Sequence, residues 1–145
     1  MKASVGVRQV SSRKELEKAY TIRTRVFVKE QGVPEEIEID RDDKRAFHFL
    51  AFEAGKAVGT ARVVMHQGSA KIGRMAVLKN YRGRGVGTKL LKRAIVTAKK
   101  QGAQKIYLHS QVSVISFYEA MAFRCIGPFF KEAGIPHRKM VLTQR

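Results

Sequence analysis

The sequence predicts an α/β (α+β) fold: one domain over residues 1–145, with a mixed, mostly antiparallel central sheet and helices on both faces. Three observations predict it. Phe47 to Glu53, Ala57 to Met65 and Ala70 to Leu78 read as three strands joined by turns at Ala54-Gly55-Lys56 and Gly68-Ser69, which describes an antiparallel meander. The pattern then changes, because Val86, Leu90, Leu91, Ala94, Ile95 and Ala98 recur at helical spacing with lysines and arginines between them. A glycine-rich loop, Tyr81-Arg82-Gly83-Arg84-Gly85-Val86-Gly87, separates the two, and Lys105 to His109 follows as a short strand. The middle of the chain is therefore a strand–loop–helix–strand unit.

The remaining elements follow in order. Ser4 to Val10 alternates and reads as a first strand. Ser11 or Ser12 caps a helix running to about Phe27, with Leu16, Ala19, Tyr20 and Arg23 on shared faces. Gln31-Gly32-Val33-Pro34 breaks it, and the acidic stretch Glu35 to Asp43 is expected to be irregular. Gly102 ends the basic helix as a C′ glycine does. Ser113 to Ala120 is a short helix, and Arg124 to Ile126 and Arg138 to Thr143 are closing strands.

Composition narrows the classes. At 44% hydrophobic the chain can bury a core. One cysteine, Cys125, excludes a disulfide framework and reads as a small buried hydrophobe. No two histidines have a metal-ligand spacing, so no metal is expected. MKASVGVRQV has no apolar signal region, and no apolar run approaches the roughly 20 residues that cross a bilayer. A soluble, cytoplasmic protein with no membrane partner is the expectation. The net charge is +17, and it is segregated. No acid lies between Ala54 and Tyr118, whereas seven of the twelve acids fall between Glu30 and Asp43. Such an excess points to a polyanionic partner, which is nucleic acid, a membrane surface or a phosphorylated cofactor.

The glycine loop decides between them. Glycines that open a helix let backbone N–H groups approach an anion, and the helix dipole adds positive potential there. Arg82, Gly83, Arg84, Gly85, Val86, Gly87 and Thr88 are thus a phosphate-binding candidate. A dinucleotide fingerprint needs other spacing and an acid about 20 residues on, and a Walker A loop needs G-x-x-x-x-G-K-[ST]; neither is present. The pattern is R-x-x-G-x-G, on Arg82, Gly85 and Gly87, and it resembles the CoA-pyrophosphate loop of the GNAT acetyltransferases. Gln111 to Phe123, QVSVISFYEAMAF, resembles the second GNAT signature, with Gln111 where family members commonly carry Asn and Ala122 where they carry Gly. IRTRVFVKEQGVPEEIEIDRDD, AFHFLAF and FKEAGIPHRKM look like the ElaA-like branch of that superfamily.

The resemblance implies a function. Acetyl-CoA would be the cosubstrate, and its acetyl group would pass directly to an amine in a ternary complex. Backbone N–H groups at Met75, Ala76 or Val77 would polarise the thioester carbonyl. Gln111 would hold pantetheine, and Tyr118 would meet the departing thiolate. The ammonium must lose a proton first, and Glu30, Glu35, Glu36, His48 and His109 are candidate bases. His109 ends the strand before Gln111, where histidine titrates in a useful range; His48 reads as a core-edge residue. The acids of Glu30 to Asp43, Glu35 among them, are expected to wall the acceptor cleft and attract a cationic amine. Dimers are common in the family. Two other readings remain open, a basic nucleic-acid-binding module and a CoA-binding sensor without catalysis, although the chain has no helix-turn-helix, RNP-type strand or zinc-finger spacing.

Overall fold

The computed structural model describes residues 4–143; the first residues of the N-terminal reading, and both ends of the 1–145 span, lie outside it. Seven strands form one sheet in the order β1-β2-β3-β4-β5-β7-β6. These are β1 (Val5–Gln9), β2 (Phe47–Glu53), β3 (Lys56–His66), β4 (Ser69–Val77), β5 (Lys105–Gln111), β6 (Phe123–Glu132) and β7 (Ile135–Leu142). All neighbours are antiparallel except β4 and β5, which the basic helix connects. The predicted mixed sheet is therefore the observed one.

That helix, α3 (Val86–Lys100), packs Val86, Leu90, Leu91, Ala94 and Ala98 on one face of the sheet. It lies so close that a Cβ on Gly59 would meet Leu90 Cδ1 and Val86 Cγ1 at 3.0 Å. The other face carries α1 (Arg13–Arg23), capped by Ser12, whose side chain accepts from the Glu15 N–H. Ala19, Ile22 and Val26 pack there against Leu50 and Ala76.

Three expectations need correction. The first helix does not run unbroken to Phe27: after Arg23 it widens into a π-helical stretch, Thr24–Glu30, which often marks a functional site. The acidic stretch is not irregular. It forms α2 (Glu35–Glu38) and a 3₁₀ turn, Arg41–Lys44, held by a capping box between Asp40 and Asp43. The closing strands are longer than expected, because Gly127 at φ +76 is a bulge within β6 rather than its end. Ala133 and Gly134, at φ +52 and +77, then form a two-residue hairpin turn that sets Glu132 opposite Ile135.

Candidate active site

Strands β4 and β5 part company. Their parallel pairing runs from Ser69↔Lys105 to Ile72↔Leu108 and stops. Beyond it, Gly73–Val77 and His109–Gln111 diverge, and the gap is a cleft of about 860 Å³. The parting coincides with a bulge in β4: Arg62 pairs with Gly73 and Thr60 with Ala76, so Arg74 and Met75 together oppose the single residue Ala61. Arg74 takes the left-handed conformation there, at φ +50, a strained one for arginine.

One end of the cleft is the glycine loop. Gly85 caps α3 at φ +83 and offers no side chain, so the first N–H groups of the helix have no intrahelical partner and point toward the loop. A Cβ on Gly85 would meet no atom within 4 Å, so this space is open to a ligand. Arg82, Gly83, Gly85, Val86, Gly87 and Thr88 all line the cleft, as do Met75, Ala76 and Val77 across from them. Arg84 does not; it pairs with Glu53 at 2.7 Å and stacks over Tyr81. Gln111 and Gln31 are hydrogen-bonded side chain to side chain, Gln111 Nε2 donating to Gln31 Oε1 at 2.8 Å.

Tyr118 stands at the middle, on the short helix α4 (Ile115–Glu119), between Phe117 and Phe123. Its hydroxyl donates to the Met75 Sδ at 3.7 Å. Burial pushes the phenol up to about 12.

His109 occupies the other end. Its Nδ1 lies 3.0 Å from Glu132 Oε1, and its ring meets Phe130 edge-on at 5.0 Å. The bond from His109 holds the Glu132 carboxyl down at about 2, against the effect of burial, with help from Lys71 and His137. His137 Nδ1 lies 2.7 Å from the Ile135 carbonyl, its Nε2 facing Glu132 at 3.9 Å. The sequence marked His109 but not Glu132, whose only signal was the Ala133-Gly134 turn beside it. His48 lies elsewhere: it is buried, its Nε2 bonded to the Asp43 carbonyl at 2.9 Å, and burial lowers its pKa. Glu35 and Glu36 are exposed on α2 and do not line the cleft.

The acids between them do not form an open wall. Arg23 Nε and Nη2 donate to the Glu38 carboxylate at 2.8 Å, and its Nη1 donates to Asp43 Oδ1 at 2.7 Å. Arg62 Nη1 donates to Asp40 at 2.7 Å and Asp43 at 2.8 Å, and Arg74 Nη2 reaches Asp40 at 3.3 Å. Three guanidiniums thus neutralise three carboxylates along one edge of the cleft. Among the described residues no group of three or more candidate metal ligands is present, and no helix is long and apolar enough to cross a membrane.

A parted β4–β5 pair stands beside a glycine-opened helix whose N-terminus has no side-chain cap, and the fold and sequence have relatives. The family model for the acetyltransferase (GNAT) domain matches residues 7–144. The chain is 37% identical over 128 residues to the uncharacterized N-acetyltransferase YjcF of Bacillus subtilis, covering 88% of this chain and 91% of YjcF. The crystal structure of Escherichia coli ElaA superposes with a TM-score of 0.85 at 26% identity, over 96% of this chain and 99% of ElaA. An acyl-CoA N-acyltransferase from Pseudomonas aeruginosa superposes with a TM-score of 0.83 at 27% identity, over 97% and 99%. The chain belongs to the GNAT acetyltransferase family, within its ElaA-like branch, and is an acyl-CoA-dependent acyltransferase.

Proposed function

We propose that this enzyme transfers the acetyl group of acetyl-CoA directly to a primary amine, both substrates being held together in the cleft. The carrying observation is that one continuous cleft joins the glycine loop, Tyr118 and the His109–Glu132 pair. The pyrophosphate seats on the N–H groups of Val86, Gly87 and Thr88, beside Arg82. Pantetheine follows β4 toward Gln111. The thioester carbonyl meets the Met75–Val77 backbone, where N–H donors stabilise the oxyanion as charge develops.

The acceptor arrives as an ammonium and is attracted to Glu132, whose carboxyl is held down at about 2. His109, oriented by the same carboxylate, takes its proton. The amine nitrogen attacks the thioester carbon, the C–N bond forms, and the C–S bond breaks. Tyr118 donates a hydrogen bond to the departing sulfur. Acetyl-CoA and a lone unpaired thiol, Cys125, both suit the reducing cytoplasm.

Thiol release from acetyl-CoA across an amine panel tests the reaction. Wild type is expected to turn over primary amines, and His109→Asn to lose roughly 10²-fold in kcat/KM while still binding acetyl-CoA. Binding without thiol release from any amine would leave a CoA-binding protein and overturn the reading.

A further inference from the structure

Opposite charges stand unjoined in the acceptor half of the cleft. Lys71 on β4 and Glu132 at the end of β6 both line it, and each feels the other's charge, yet they do not form an ion pair. Among the described residues, Lys71 Nζ makes no hydrogen bond or ion pair at all. Burial pushes its pKa down, so this ammonium has lost water without gaining a partner.

Arg74 is the second incomplete cation. Its Nε donates to the Glu38 carbonyl at 3.1 Å and its Nη2 to Asp40, while Nη1 makes no hydrogen bond among the described residues. Its side chain is 23% exposed, into the cleft it lines. Its acidic neighbours are committed elsewhere, so this N–H stays free for a ligand. Glu38, Asp40 and Asp43 are already matched by Arg23, Arg62 and Arg74 itself, and Asp42 pairs with Arg45 at 3.2 Å. The bulge that strains Arg74 also sets it next to Met75, whose sulfur meets the Tyr118 hydroxyl. Arg74, Met75 and Tyr118 all line the same cleft.

A cleft with a separated anion and cation is complementary to a dipolar ion. We propose that the acceptor is a zwitterion of the free amino-acid class, with its ammonium on Glu132 beside His109 and its carboxylate on Lys71 Nζ and Arg74 Nη1. This rests on the acetyl-transfer reading above and narrows its substrate. The product is an N-acetylated amino acid: the ammonium gives up two protons, one to the leaving CoA sulfur and one through His109 to solvent. Acetylation removes the positive charge that Glu132 holds and leaves only the carboxylate anchored, so the product is held less tightly than the substrate.

Matched acceptors test it. Each amino acid is compared with its carboxamide and with the amine lacking the carboxyl group, following thiol release from acetyl-CoA. The amino acid is expected to exceed both by about tenfold or more in kcat/KM, the worth of one charge-assisted contact. Lys71→Gln should bring that ratio close to one, mainly through the acceptor KM, and Lys71→Arg should restore most of it. A thermal shift with acetyl-CoA confirms that both variants are folded. Wild type that uses amides or simple amines as well as amino acids, or an unchanged ratio in Lys71→Gln, overturns the zwitterion and leaves acetyl transfer standing. No thiol release with any acceptor overturns both.

Discussion

Arg82 is clasped by Glu30 at the mouth of the cleft: its Nη2 donates to Glu30 Oε1 at 2.8 Å and its Nη1 to Oε2 at 3.0 Å, while its Nε donates to the Val77 carbonyl. The clasp joins the π-helical stretch to the glycine loop, so one of the seven clustered acids meets the basic half of the chain. A pyrophosphate seated on the loop as proposed would compete with Glu30 for the same guanidinium.

The exposed pair is worth little, on the order of 0.2–1 kcal/mol, so its competition costs CoA binding only modestly. Glu30→Gln is expected to lower the acetyl-CoA Kd by up to about fivefold, measured by calorimetry at low salt. Arg82→Ala should raise it. A Glu30→Gln protein that binds more weakly than wild type would mean that Glu30 positions Arg82 rather than competing for it.

Tyr118 presents its hydroxyl to a sulfur even without a ligand, since Met75 Sδ is a weak acceptor. With its phenol pushed up to about 12, full proton transfer to a thiolate near ~8.5 is uphill by about 5 kcal/mol. Hydrogen-bond donation carries no such penalty. Tyr118→Phe should lower kcat by about 10²-fold with the acetyl-CoA KM little changed, in single-turnover measurements where chemistry limits the rate. Its ring contacts with Phe117 and Phe123 survive, so stability should shift by less than about 1 kcal/mol. An unchanged kcat reduces Tyr118 to a packing residue.

The strands, the glycine loop and the Tyr118 helix were legible because each is specified by local spacing. The charge network was not. Sequence proximity offers Lys29, Arg41, Lys44 and Arg45 as partners for the acids, but of these only Arg45 forms an ion pair among the described residues, with Asp42. The real partners are Arg23, Arg62 and Arg74, brought together from α1, β3 and β4. Arg23 looks like one more residue on a helix face, yet it is 1% exposed. Long-range pairing has no period to read. Glu132 was hidden for a related reason: Gly127-Pro128 resembles a strand end, so the second half of β6 escaped the strand pattern.

Ala122 occupies the place where family members commonly carry glycine, and its φ is +71. Its N–H bonds the Glu119 carbonyl at 3.1 Å, and its carbonyl accepts from the Thr143 N–H at 2.9 Å, so the turn forms despite the strain. The left-handed region costs a residue with a Cβ about 1–2 kcal/mol. Ala122→Gly relieves this but gains freedom in the unfolded chain, so the net gain should be about 0.5–1 kcal/mol. Urea unfolding measures it. A loss of stability would show that the methyl group packs well enough to outweigh the backbone strain.

Asp43 is the buried acid that Arg23 and Arg62 share. Its side chain is 2% exposed and receives two bonds from Arg23, one from Arg62 and one from the Asp40 N–H. Burial alone would raise its pKa, but the two guanidiniums prevail and hold it at about 2, below the ordinary 3.8. A carboxyl depressed in the folded state stabilises fully above about pH 4, and that contribution is lost as pH falls toward 2. Asp43→Asn leaves Arg62 and Arg23 under-compensated in a buried site. It should cost on the order of 3 kcal/mol at neutral pH and flatten the loss of stability between pH 4 and 2. Asp42→Asn is the control, since that side chain is 34% exposed and its bond to Arg45 is a surface pair worth less than about 1 kcal/mol. Urea midpoints at several pH values separate the two. If both variants lose the same small amount, the buried network is no stronger than a surface one. The edge of the cleft would then owe its shape to the apolar contacts of Ala19, Ile22 and Val26.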